Sequence, residues 1–165
     1  MNRIARLVAL LALGAITVAV LASTGSATQQ RTIAQTAAGS PQFSTLTTLL
    51  KKAGLVSTLG RSGPYTVFAP TNAAFAKVPK QTLNALLADK AKLKAVLLYH
   101  VVPGKVTAAK VVKLTSAKTA NGEPVRIRVK GSAVYVNGAR VTKADVMAAN
   151  GVIHVIDSVL VPPSA

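Results

Sequence analysis

Proton transfer and metal binding need histidines, acids or thiols, and this 165-residue chain holds few of them. It has two histidines, His100 and His154, four acids, Asp89, Glu123, Asp145 and Asp157, and no cysteine. A bound zinc takes three or four protein ligands. Two histidines and four scattered acids, without a His-x-x-x-His or a cysteine pair, are a poor supply, so neither a metal nor a cofactor is expected. The run His154-Val155-Ile156-Asp157-Ser158 invites a Ser/His/Asp reading. Side chains alternate along a strand, which would turn His154 and Asp157 to opposite faces. There is also no Gly-x-Ser-x-Gly elbow to expose a nucleophile. An enzyme built on His154 and Asp157 is therefore the alternative reading. The preferred one makes each histidine a half-buried tie between two segments. Asp157 is expected to satisfy backbone donors near a closing strand, and Asn72 to organise its own turn through side chain–backbone bonds.

The stronger chemical signal is positive charge. Twenty Lys and Arg stand against four acids, a formal +16. In Val125-Arg126-Ile127-Arg128-Val129-Lys130 apolar and basic residues alternate. That pattern predicts a strand with one buried face and three cations on the other, at steps of ~6.6–6.8 Å. Arg126, Arg128 and Lys130 are thus the candidate anion-binding residues. The partners expected are anionic surface polymers, acidic glycans or anionic lipid headgroups, with other surface proteins as a further class. Lys90, Lys92 and Lys94 add charge elsewhere. Isolated lysines serve solubility, for which a net charge of ~2–8 suffices; the excess here points to anion attraction. Phosphate attraction alone would make an unspecific polyanion or nucleic-acid binder. Three Tyr, three Phe and no Trp are too few for a stacking platform, so no specific nucleic-acid partner is expected.

The elements that must position these residues follow from pattern. Arg3 and Arg6, then an uncharged apolar run from Leu7 to Ala22, then Ser23-Thr24-Gly25-Ser26-Ala27, have the layout of a secretory signal peptide over residues 1–27. The apolar run is short of the ~20 residues that span a bilayer, so no transmembrane segment is expected after processing, and the product is expected to be secreted or at the cell surface. Loss of Arg3 and Arg6 would leave 18 basic side chains against four acids, a formal +14. Residues 28–42, rich in Thr, Gln, Ala and Ser with Ile33 as the one large apolar residue before Phe43, read as a flexible linker.

From Phe43 the periodicity is helical. Phe43, Leu46, Leu49 and Leu50 share a face, and Gly54 ends the helix. Leu55, Val56 and Leu59 suggest a second short helix. Tyr65–Ala69 reads as a strand stopped by Pro70, with Thr71 as the N-cap of the turn that follows. Pro79 suits the first turn of a helix carrying Leu83, Leu86 and Leu87, and Asp89 caps another carrying Leu93, Val96 and Leu97. Beyond Gly104 the period falls to two, and strands are expected at 125–130, 134–136, 139–142 and 152–160. Asn121-Gly122, Asn137-Gly138 and Asn150-Gly151 favour tight hairpin turns. Helices first and hairpins later make an α+β domain.

Three segments carry a resemblance. Tyr65-Thr66-Val67-Phe68-Ala69-Pro70-Thr71-Asn72-Ala73-Ala74-Phe75, Leu98-Tyr99-His100-Val101-Val102-Pro103-Gly104 and the closing run from Asn150 to Pro162 resemble, in order and spacing, the signatures of fasciclin (FAS1) domains. The resemblance covers residues 43–163. It implies a wedge of about seven strands in two sheets with flanking short helices, an extracellular adhesion or matrix role, no catalysis, and a structural role for His100 with Tyr99. A Pro often follows the acid before the central helix in that family; here Lys90 follows Asp89. The almost purely basic surface also gives no ground for assuming the acid-containing contact motifs of animal relatives.

Overall fold

A computed structural model describes residues 30–61 and 63–163. The expected signal peptide lies outside the described residues. The first element corrects the linker reading. Residues 28–42 include a helix, α1 (Ile33–Ala38), and a 3₁₀ turn, Pro41–Phe43. The Thr32 hydroxyl accepts from the Gln35 N–H while the Gln35 side chain accepts from the Thr32 N–H, a reciprocal cap that satisfies two end donors. Ile33, Ala34 and Ala37 are buried. One large apolar residue suffices because two alanines complete the buried face.

Helices α2 (Ser44–Ala53) and α3 (Val56–Gly60) follow. Gly54 ends α2 in the left-handed conformation at φ 71°. Strand β1 (Tyr65–Pro70) leads into α4 (Asn72–Ala76), α5 (Lys80–Ala88) and α6 (Lys90–Tyr99). Thr71 caps α4 by accepting from the Ala74 N–H, and Asp89 caps α6 by accepting from Ala91 and Lys92. Pro79 sits at the N-cap of α5, one position before the expected first turn. Then come β2 (Val101–Pro103), α7 (Ala108–Val111), β3 (Ser116–Lys118), β4 (Pro124–Lys130), β5 (Ala133–Val136), β6 (Ala139–Ala148) and β7 (Gly151–Ile156). The short β2, α7 and β3 had no periodic signal of their own.

The seven strands and flanking short helices form the expected α+β wedge. Their hydrogen-bonded order is continuous, β2-β1-β7-β6-β5-β4-β3, so the two sheets are halves of one order that turns on β6. Strand β6 pairs with β5 through Ala139 and Arg140 and with β7 from Val141 onward, with register shifts on either side of Lys143. Asp145 in this stretch has φ 54°. Such irregularities bend a strand and increase its twist. At the far ends the Ala120 N–H donates to the Val101 carbonyl at 2.7 Å, bringing the chain after β3 onto β2 and nearly closing the wedge.

Strands β1 and β7 run parallel, Tyr65 opposite Gly151 through Pro70 opposite Ile156. Both are covered on two sides, as parallel pairs generally are. Val67, Ala69, Ile153 and Val155 join a core under α1, α2, α3 and α6. Phe68 and Ile156 join a second core with Tyr99, Val125, Ile127 and Val136. Gly151 is required by this pairing: a Cβ there would lie 1.8 Å from the Tyr65 carbonyl oxygen. Asn150-Gly151 keeps its hairpin role with the turn one position earlier: Ala149 and Asn150 form the two-residue β6–β7 turn between the paired Ala148 and Gly151, and Gly151 adds a close backbone approach to β1. Asn137-Gly138, at φ 47° and 88°, is the tight β5–β6 hairpin turn that the pair favours.

Candidate functional site

Strand β4 places the three candidate cations as its alternation requires. Val125 and Ile127 are buried in the second core, and Arg126, Arg128 and Lys130 are exposed. Val129, expected to be buried, is 46% exposed; it stands near the tip of the β4–β5 hairpin, opposite the half-buried Val134. The three cations line a concavity of about 560 Å³ with Tyr135, Asn137 and Gly138. Tyr135 and Arg140 are the functional candidates that the sequence reading missed. Arg128 faces Tyr135 across β4–β5, and Tyr135 faces Arg140 across β5–β6. Directly opposed residues of an antiparallel pair share a face, so Arg128, Tyr135 and Arg140 form one row. The signal was available: counting outward from the Asn137-Gly138 turn puts Tyr135 opposite Arg140.

Asn137 joins this face to the interior. Its Oδ1 accepts from the Arg126 N–H at 2.7 Å, and its Nδ2 donates to the Tyr99 hydroxyl. Tyr99, 1% exposed, donates in turn to the Pro124 carbonyl at 3.2 Å. The aromatic of the central segment therefore holds the start of the strand that bears the cations, at Pro124 directly and at Arg126 through Asn137.

The two histidines are buried rather than half-buried. His100 Nδ1 donates to the Val96 carbonyl at 2.7 Å, and its Nε2 accepts from the Leu160 N–H at 2.9 Å. This pattern fixes the neutral Nδ1–H tautomer. Burial lowers the His100 pKa to about 4, partly opposed by the bond to Val96. His154 stacks on Phe68 at 5.7 Å. Its Nε2 donates to the Val106 carbonyl at 2.7 Å, and its Nδ1 accepts a long 3.4 Å bond from the Asp145 N–H. All four ring nitrogens face backbone groups.

Asp157 lies just beyond β7, which ends at Ile156 rather than running to Leu160. Its Oδ1 accepts from the Arg140 N–H at 2.9 Å and from Ser158, and its Oδ2 lies 3.8 Å from the Lys77 ammonium. Asn72 does not organise its own turn. Its Oδ1 accepts from the Thr45 N–H, and its Nδ2 donates to the Pro41 carbonyl and the Ser44 hydroxyl, clipping the start of α2 to the start of α4. Thr71, Asn72, Tyr99, His100, His154 and Asp157 are therefore spread through the frame, whereas Arg126, Arg128 and Lys130 are gathered in one concavity. Among the described residues no group of three His, Asp or Glu is placed to hold a metal ion.

The fasciclin domain profile matches residues 41–162. Protein sll1483 of a Synechocystis species is 53% identical over 134 residues, covering 80% of this chain and 74% of that protein. Immunogenic protein MPB70 of Mycobacterium bovis is 40% identical over 140 residues, covering 82% and 71%. Among solved structures, the FAS1 domain pair of the insect cell adhesion molecule fasciclin I superposes with a TM-score of 0.67 at 19% identity. That alignment covers 81% of this chain and about half, 52%, of the other.

Proposed function

The chain belongs to the fasciclin domain family, and on that premise we propose that it is an exported, non-enzymatic adhesion module that binds an anionic component of the cell envelope or surrounding matrix. The observation that carries this reading is the gathering of Arg126, Arg128 and Lys130 into one open concavity, on a chain with five basic residues for every acid. The adhesion role is proposed by analogy with fasciclin I, an insect cell adhesion molecule whose FAS1 domain pair shares this fold. Export rests on the order of residues 1–27, basic, apolar, then small. The engagement of both histidines by backbone groups favours a structural over a catalytic role for them.

Anion binding through exposed cations weakens with salt, since charges are screened beyond ~8 Å at physiological ionic strength. The test is co-sedimentation of the natural chain and a variant with Arg126, Arg128 and Lys130 all changed to Gln on envelope fractions, at rising salt. Salt-sensitive binding lost in the variant supports the reading. A folded variant with unchanged affinity and salt response removes this face from consideration. N-terminal sequencing of the exported protein should begin near Thr28.

A further inference from the structure

Resting on that reading, we propose that the row Arg128–Tyr135–Arg140 makes the β4–β5–β6 face a binding site for a carboxylated polysaccharide. Cations that serve only solubility work equally well wherever they stand, and like charges close together on a sheet cost stability. Here Arg128 and Arg140 stand two strands apart, ~10 Å by strand spacing, with an aromatic residue between them. Arg126 and Lys130 extend the charge along β4. The acid hydrogen-bonded to this row is Asp157, through the Arg140 backbone N–H, and its carboxylate is also occupied by Ser158 and Lys77. The guanidiniums of the row have no ion-pair partner among the described residues.

The chemistry of the row selects among anions. A phosphate polymer engages cations alone and has no use for the ring at the centre. A nucleic acid uses rings in succession, one for each stacked base, and this face offers a single one, Tyr135. A uronate sugar presents an apolar C–H face to an aromatic ring, hydroxyls to a phenol, and a carboxylate at its edge. Arg grips that carboxylate with two parallel hydrogen bonds. The volume of about 560 Å³ lies within the ~300–1,000 Å³ of small-ligand sites. It accommodates a sugar unit, while cations on both sides of the ring meet the carboxylates of neighbouring units.

Four probes test this on the mature chain: polygalacturonate, its neutral methyl ester, inorganic polyphosphate of matched charge, and phosphatidylglycerol vesicles. The expected order is polygalacturonate bound most tightly and the ester not bound. Tyr135→Leu should weaken polygalacturonate about fivefold, the scale of one aromatic contact, and leave polyphosphate unchanged. Arg140→Gln should weaken both. In the natural chain, amide resonances of Arg128, Tyr135 and Arg140 should shift on adding oligogalacturonate, a readout that stands even where a variant fails to fold. Tighter binding of polyphosphate or vesicles, or a folded Tyr135→Leu protein with undiminished polygalacturonate affinity, overturns the sugar assignment while the anion-binding face stands. If no polyanion binds, both readings fall together.

Discussion

The Nε2 of His100 accepts the backbone N–H of Leu160 at 2.9 Å, sixty residues further along the chain. With Nδ1 donating to Val96, this buried ring is neutral in the folded protein, and its pKa is lowered from 6.5 to about 4. Between those values the unfolded chain binds the proton and the folded one does not. Stability is therefore fully present above the unfolded value, lost as pH falls toward the folded one, and unchanged by this group below it. The full effect is about 3 kcal/mol, and about 2–3 kcal/mol is reached by about pH 4.5. Urea unfolding at neutral and acid pH checks this. His100→Gln should be less stable at neutral pH and should lack this share of the acid sensitivity.

Asn72 makes three bonds to the start of α2 and the turn before it. Asn72→Ala should cost about 1–3 kcal/mol, since the Thr45 N–H and the Pro41 carbonyl lose their partner. Asn72→Asp keeps the acceptor for Thr45 and loses both donors, so it should fall between the two. Denaturant midpoints, with an unchanged slope, measure the difference.

What the sequence displayed, and what it hid, divides along local and distant causes. Thr71 and Asp89 as caps, Gly54 as a helix end and Asn137-Gly138 as a hairpin turn depend on a few neighbouring residues, and each forms as read. The cations on β4 follow from period two alone. Asn72 was misread because its partners lie 27 to 31 residues away. The contact of Gly151 with the Tyr65 carbonyl was hidden for a similar reason, a parallel neighbour more than eighty residues earlier. Tyr135 and Arg140 were overlooked although the β5–β6 turn alone sets their register.

Gly151 and Gly138 should respond differently to alanine. At Gly138 a Cβ meets nothing within 4 Å, and only the positive φ of 88° opposes it, a cost of about 1–2 kcal/mol. At Gly151 the Cβ would overlap the Tyr65 carbonyl, so β1 and β7 must separate or the chain must fail to fold. Gly151→Ala should lose more than about 3 kcal/mol. Equilibrium unfolding of the two variants side by side shows the contrast.

Helix α1 yields the last prediction. The family match begins at residue 41, yet Ile33 is 1% exposed and lies in the core beneath the helices. Its N–H donates to Asn150 Oδ1 at 2.9 Å, across 117 residues, while Asn150 Nδ2 donates to the Leu59 and Arg61 carbonyls. One asparagine thus fastens α1, the end of α3 and the turn before β7. A chain cut to begin at Ser40 would expose the apolar surface that Ile33 and Ala37 cover and would leave Asn150 Oδ1 without its donor. Ile33→Ala in the full mature chain should cost about 2–5 kcal/mol. The truncation should cost at least as much, because it removes the same burial and the hydrogen bond together. Thermal and urea unfolding of chains beginning at Thr28 and at Ser40 decide the point: equal stability would make α1 an ornament on the domain rather than a part of its core.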